Sequence, residues 1–324
     1  MATITMAGAL NRALHDAMED DERVVVFGED VAELGGVFRV TDRLADRFGR
    51  DRCFDTPLAE SGIVGTAIGM AMYGYRPVVE MQFDGFSYPA FEQITSHLAK
   101  MPNRSRGTVR LPVVVRIPFG GGIGAVEHHS ESPEALYAHT AGLRIVAPST
   151  PRDAYALLRT SISSPDPVLF FEPKRRYWTR EDLDLPVTAE PMGTAVVRRP
   201  GTTATLISYG PTVATCLEAA DAAADEGWEL EVIDVRTLVP LDIDALVEAV
   251  ERTGRAVVVH EASVFAGLGA EIAAELLERA FWSLEAPVLR VGGFDIPYPP
   301  SQLEHFHLPD VDRILDAVER SLSY

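Results

Sequence analysis

The residues of this chain best suited to chemistry are two acids and a histidine pair. Glu60 heads the otherwise apolar, small-residue run Glu60-Ser-Gly-Ile-Val-Gly-Thr-Ala-Ile-Gly-Met-Ala-Met72. Glu29 follows directly on Val24-Val-Val-Phe27-Gly28, and His128-His129 follow the glycine-rich segment Gly120–Gly124. A carboxyl group held in apolar surroundings keeps its proton, and two acids close together push their pKa values apart. A histidine on a loop supplies or removes a proton near neutral pH. Each has a plainer reading. Glu60 would also sit well in a first helical turn, where the helix dipole favours an anion, and Glu29 could be a surface acid. The histidines, flanked by Glu127 and Glu131, do not read as a metal cluster. Adjacent side chains of extended backbone point to opposite sides, and no His-Glu-x-x-His helix is present.

The elements needed to hold these groups are written in the hydrophobic pattern. Met6, Leu10, Leu14 and Met18 recur at helical spacing. Strands are read at 24–27, 77–82, 112–117 and 168–171; continuous apolar runs such as 24–27, alternating with helices, suit a parallel sheet covered on both faces. Gly62, Gly65 and Gly69 share one helical face, which lets another backbone approach closely. The run therefore reads as a buried helix pressed against a second helix, from another chain, with Glu60 at its entrance. It is too short to cross a bilayer. A polar helix is predicted near 41–49, another near 89–100, and a helix capped by Ser149-Thr150 before Pro151. Residues 173–192 lose all period and read as a linker. Alternation then resumes, with strands at 204–208, 230–235, 256–259 and 288–291 and helices near 212–226, 243–252, 268–281 and 311–322.

The loop 119–130 follows a strand, the usual address of a ligand in an open α/β sheet. It departs from the dinucleotide fingerprint, because the third glycine is misplaced and no helix opens directly. Its glycines point instead to close approach by a ligand or a neighbouring chain. A net charge of −19 argues against binding nucleic acid and suits a basic partner. Two cysteines without metal spacing and an N-terminus lacking a signal-peptide pattern predict a reduced, soluble, cytoplasmic protein with no membrane segment.

Several blocks then carry a resemblance: Phe27-Gly-Glu-Asp-Val31, Gly35-Gly-Val-Phe38, Thr56-Pro-Leu-Ala-Glu-Ser-Gly-Ile63 and Glu80-Met-Gln-Phe83. So do His129-Ser-Glu-Ser-Pro-Glu134, Phe171-Glu-Pro-Lys174 and His260-Glu-Ala262. Over essentially its whole length the chain resembles the β chain of thiamine-diphosphate-dependent 2-oxo acid dehydrogenases. The resemblance implies an α/β protein of two three-layer αβα domains: a pyrimidine-binding domain at 1–175, a linker at 176–192 and a transketolase C-terminal domain at 193–324. It also implies thiamine diphosphate, whose diphosphate and Mg are held mainly by a separate α chain. No Gly-Asp-Gly occurs here, in agreement with that division, and the active site would lie between chains of an α2β2 assembly.

In this reading Glu60 shares a proton with the cofactor's aminopyrimidine, Phe86 stacks on the ring and Gln82 lines its pocket. Glu29 lies on a path joining two active sites. His129 steers a lipoyl dithiolane and protonates it, with His128 lining the same approach. A monovalent cation, K+, is held in some relatives by main-chain oxygens near 161–164 and an Asn side chain. The corresponding positions are Ser161, Ser164 and Asp166, the last preceded by Pro165. The segment after His129 favours branched-chain 2-oxo acids such as 3-methyl-2-oxobutanoate, with pyruvate or acetoin enzymes as the alternatives and a non-catalytic scaffold as the rival from another class. The remaining partner implied is the lipoyl acyltransferase core, through its basic peripheral binding domain.

Overall fold

The computed structural model describes residues 2–324. The chain divides into two compact units, one formed by the residues up to Phe119 with Leu136–Met192, the other by Gly120–Ala135 with Gly193–Tyr324.

The first unit opens with β1 (Ala2–Thr5) and α1 (Met6–Asp20), whose N-terminus is capped by the Thr5 hydroxyl accepting from the Gly8 amide. There follow β2 (Val24–Gly28), α2 (Leu44–Phe48), β3 (Cys53–Asp55), α3 (Glu60–Met72), β4 (Arg76–Glu80), α4 (Met101–Arg104) and β5 (Val114–Phe119). After α5 (Glu134–Ala138), which spans the division between units, come β6 (Arg144–Val146), α6 (Pro151–Ser163), β7 (Val168–Pro173) and β8 (Arg180–Leu183). Strands of this unit pair in the order β6-β7-β5-β4-β2-β3, every pair parallel. The runs at β2, β5 and β7 are buried throughout, as a sheet covered on both faces requires. Met6, Leu10, Leu14 and Met18 of α1 pack with Leu157, Leu158 and Ile162 of α6 over Val24, Val26 and Phe170. The predicted cap of α6 is present, the Thr150 hydroxyl accepting from the Asp153 amide with Pro151 at the first turn. Within 176–192, Arg180–Leu183 pairs antiparallel with Ala2–Thr5.

One predicted element differs in kind. In place of an α-helix near 89–100 there is a 3-10 turn at Asp84–Ser87, a π-helix at Gln93–Leu98 and the short α4. A π turn inserts a residue into the helical repeat, so apolar spacing alone does not report it.

The second unit contains β9 (Val196–Arg199), β10 (Ala204–Ser208), α7 (Thr212–Asp225), β11 (Leu230–Asp234), β12 (Thr237–Val239), α8 (Ile243–Thr253) and β13 (Ala256–Ser263). It ends with α9 (Leu268–Arg279), β14 (Leu289–Gly293), α10 (Glu304–His307) and α11 (Val311–Leu322). Its sheet runs β14-β13-β10-β11-β9, parallel except for β9 at one edge. Cys216, Ala219, Ala220 and Ala223 of α7 and Ile314, Ala317 and Val318 of α11 cover its Leu206, Val232, Val257 and Val259.

Candidate functional site

In the first unit the candidate residues gather around the carboxyl ends of β2 and β4, where parallel sheets place ligands. Glu29 stands one residue beyond β2 and is 5% exposed; Glu60 opens α3 and is 7% exposed. The helix dipole and first-turn N–H groups favour an acid at that start, and the side chain is buried there. Among the described residues, neither carboxyl oxygen of Glu29 has a hydrogen-bond partner. Burial, and next the charges of Glu60 and Asp30, push the Glu29 pKa up to about 7. Glu29 is therefore no surface acid. It is a buried group that holds its proton close to neutrality.

Gln82, two residues past β4, donates its amide to Asp30 Oδ2 at 2.8 Å. Asp30 itself sits in the left-handed region at φ 58°. Phe86 lies on the turn that follows and meets Phe83 edge-on at 6.1 Å. Two charged clusters that sequence reasoning passed over lie buried in this unit. Arg116 of β5 makes a two-pronged bond to Glu172 of β7 (2.6 and 2.9 Å) and a third to Glu80 of β4 at 2.6 Å, while Tyr177 donates to Glu172 at 2.6 Å. Lys174 pairs with Asp84, both fully buried. Their signal was visible as charges inside otherwise apolar strands: Val-Val-Glu80, Val-Val-Val-Arg116 and Leu-Phe-Phe-Glu172. Beside them the Glu80 pKa is raised, chiefly by burial.

His128 and His129 belong to the second unit. Their loop is closed at its base by the Gly120 amide donating to the Glu131 carbonyl at 2.8 Å, and a 3-10 turn spans Glu127–His129. His128 is exposed and His129 half-buried, their rings 4.3 Å apart, and His129 Nδ1 lies 2.9 Å from the His128 carbonyl oxygen. The glycine N–H groups that might have cradled a phosphate are committed internally. The Gly121 amide donates to Glu261, and those of Gly122 and Gly124 donate to Glu304 at 3.2 and 3.1 Å.

The positions expected for a cation, Ser161, Ser164 and Asp166, lie beside basic groups. Arg76 donates to the carbonyls of Ile162 and Ser164 at 2.7 and 3.2 Å, and the Asp166 carboxylate pairs with Arg144 and Arg110. Three guanidinium groups already supply positive charge there, so the setting does not fit a K+ ion. Among the described residues, no group of three or more His, Cys, Asp or Glu side chains could hold a metal ion. No helix among them is long and apolar enough to cross a membrane.

Two α/β units on parallel sheets, with buried acids at the strand ends of the first, define a protein of transketolase type. The family model for the transketolase pyrimidine-binding domain matches residues 2–179, and that for the transketolase C-terminal domain matches 193–314. The 3-methyl-2-oxobutanoate dehydrogenase subunit beta of Mycobacterium tuberculosis is 59% identical over 321 residues, covering 99% of this chain and 92% of that one. The pyruvate dehydrogenase E1 component subunit beta of Leifsonia xyli is 56% identical over 322 residues, 99% of this chain and 96% of its own. A solved structure described as a split-gene transketolase, inactive beta4 tetramer, superposes with a TM-score of 0.82 at 25% identity over 99% of this chain and 98% of that one. The chain belongs to the family of 2-oxo acid dehydrogenase β subunits.

Proposed function

We propose that this chain is the catalytic β subunit of a thiamine-diphosphate-dependent 2-oxo acid dehydrogenase that acts on branched-chain substrates and passes the acyl group to lipoyl arms. One observation carries the reading: Glu60 is buried at the start of α3, near enough for its charge to act on Glu29, an acid whose oxygens have no partner among the described residues. Such a donor set fits the aminopyrimidine end of the cofactor, which brings ring nitrogens to be hydrogen-bonded and a flat face to be stacked. When bound, thiamine diphosphate supplies the carbon nucleophile that attacks the 2-oxo group and accepts the electrons as carbon dioxide leaves.

Glu60, buried at the helix start, hydrogen-bonds a ring nitrogen of the aminopyrimidine and shares a proton with it. Phe86 offers its face to the ring, and Gln82, fixed by Asp30, lines the pocket. Glu29 holds a proton in the same region. His129, half-buried on its loop, protonates a lipoyl sulfur as the disulfide opens, with His128 lining the approach. The pyrimidine-binding part corresponds to residues 1–175 and the C-terminal part to 193–324, joined through 176–192.

An α chain completes the site by holding the diphosphate and Mg, in an α2β2 heterotetramer. The glycine face of α3 supports such packing. A Cβ added at Gly69 meets nothing within 4 Å, and Leu58 and Tyr73 nearby are 73% and 88% exposed. The excess negative charge supports docking of the basic binding domain of an acyltransferase core. The test is co-expression with the α chain followed by a panel of 2-oxo acids. Preference for 3-methyl-2-oxobutanoate supports the reading, and preference for pyruvate, the substrate in the name of the 56% identical relative, replaces it. In the same assembly Glu60→Gln is expected to abolish decarboxylation with the heterotetramer intact. Near-normal turnover would favour a scaffold role.

A further inference from the structure

The loop that carries His129 is gripped by acids of the C-terminal sequence. Gly120, Gly122 and Gly124 lie in the left-handed region at φ 82°, 81° and 72°. This alternation turns successive N–H groups toward one side, forming a concavity suited to an anion. Glu304 fills it with both oxygens, Oε1 on Gly124 and Oε2 on Gly122. Tyr298 reinforces the grip, donating its hydroxyl to Glu304 Oε2 at 3.0 Å and accepting from the Gly122 amide at 3.2 Å. Glu261 takes the Gly121 amide. A Cβ at Gly121 would run into the Tyr298 side chain, so glycine leaves room for Tyr298 where the grip closes. A shared carboxylate at two amides fixes the turn leading into Val126–Ser130, where the His129 amide donates to the Val126 carbonyl at 3.0 Å.

We infer that Glu304, backed by Tyr298 and Glu261, is a positioning residue for lipoyl acylation, orienting His129 by clamping the Gly120–Gly124 turn. The inference rests on the proposed role of His129. A reacting group displaced by about 1 Å loses on the order of a hundredfold in rate, so loosening the turn should act on acyl transfer and spare decarboxylation.

The experiment uses the assembled α2β2 enzyme with thiamine diphosphate, Mg and a lipoyl domain. It compares Glu304→Ala, His129→Ala and the double variant. Decarboxylation is followed with an artificial electron acceptor, and lipoyl acylation as separate kcat and KM. Glu304→Ala is expected to lower the acylation kcat about tenfold or more, with the KM for the lipoyl domain and the dye-linked rate little changed. Amide hydrogens of 121–124 should exchange faster. Added to His129→Ala, it should cost nothing further, because the clamp acts through that residue. Should Glu304→Ala not assemble, Glu304→Gln carries the test: one acceptor oxygen remains, and a partial loss of acylation is expected. Normal acylation in the Glu304 variant, beside a defective His129→Ala, overturns the clamp alone, as do losses that multiply in the double variant. Normal acylation in His129→Ala overturns the lipoyl assignment and this inference with it, while faster exchange at 121–124 would still report the grip.

Discussion

Glu29 gives the most direct test of the electrostatics at the first unit's site. The substitution Glu29→Gln keeps the shape and removes the ionisation. In the fold the carboxyl titrates near 7 against an ordinary value of 4.5, because burial and the neighbouring Glu60 disfavour its anion. Below pH 4.5 the group is protonated whether the chain is folded or not. Between 4.5 and 7 unfolding releases its proton, so the wild-type chain loses stability as pH rises; above 7 the loss is complete. The gap between 4.5 and about 7 corresponds to about 3 kcal/mol. For a unit of this size, each kcal/mol moves the melting temperature by about 2–4 °C. Glu29→Gln should therefore melt with wild type at pH 4.5 and several degrees above it at pH 8. Thermal unfolding monitored across that range measures the difference. An offset that is constant with pH, or that narrows as pH rises, would refute the argument.

Other expectations follow from buried charge and buried sulfur. Arg116→Leu leaves Glu80 and Glu172 without their cation in the sheet interior. It should destabilise the first unit by about 3–5 kcal/mol in denaturant unfolding. A cost under about 1 kcal/mol, as for an exposed pair, would contradict the assignment. Cys53 and Cys216 are fully buried, their thiol pKa values pushed up to about 12, chiefly by burial. Neither should react with a thiol reagent at pH 8 until the chain is denatured, and prompt modification of the native protein would contradict this. Replacing potassium by choline at constant ionic strength should leave the melting temperature of the assembled enzyme unchanged. A potassium-dependent rise would restore the cation site that Arg76, Arg110 and Arg144 are argued to fill.

Much of the architecture was legible because long buried strands and amphipathic helices repeat locally. Val24–Phe27, the α1 stripe and the Thr150 cap all read directly into elements. Glu60 was legible too, as the lone acid in an apolar run. Features set by distant partners were not. Arg180–Leu183 reads as linker because its pairing with Ala2–Thr5 lies far away in sequence. Strands of three residues such as Cys53–Asp55 and Arg144–Val146 are too short to show a period. The glycine loop announced close approach, but nothing local says that the approaching groups are Glu261, Tyr298 and Glu304. Likewise the Asp166 setting changes meaning only when Arg76, some ninety positions earlier, comes to the neighbouring carbonyls.

The grouping of residues 120–135 with the C-terminal half has a practical corollary for anyone dividing this gene. A break placed at 176–192 looks harmless along the sequence, yet it would strand the histidine segment on one fragment and its acidic anchors on the other. Two such pieces, made separately, would each lack a finished histidine loop. Only their reunion would restore it.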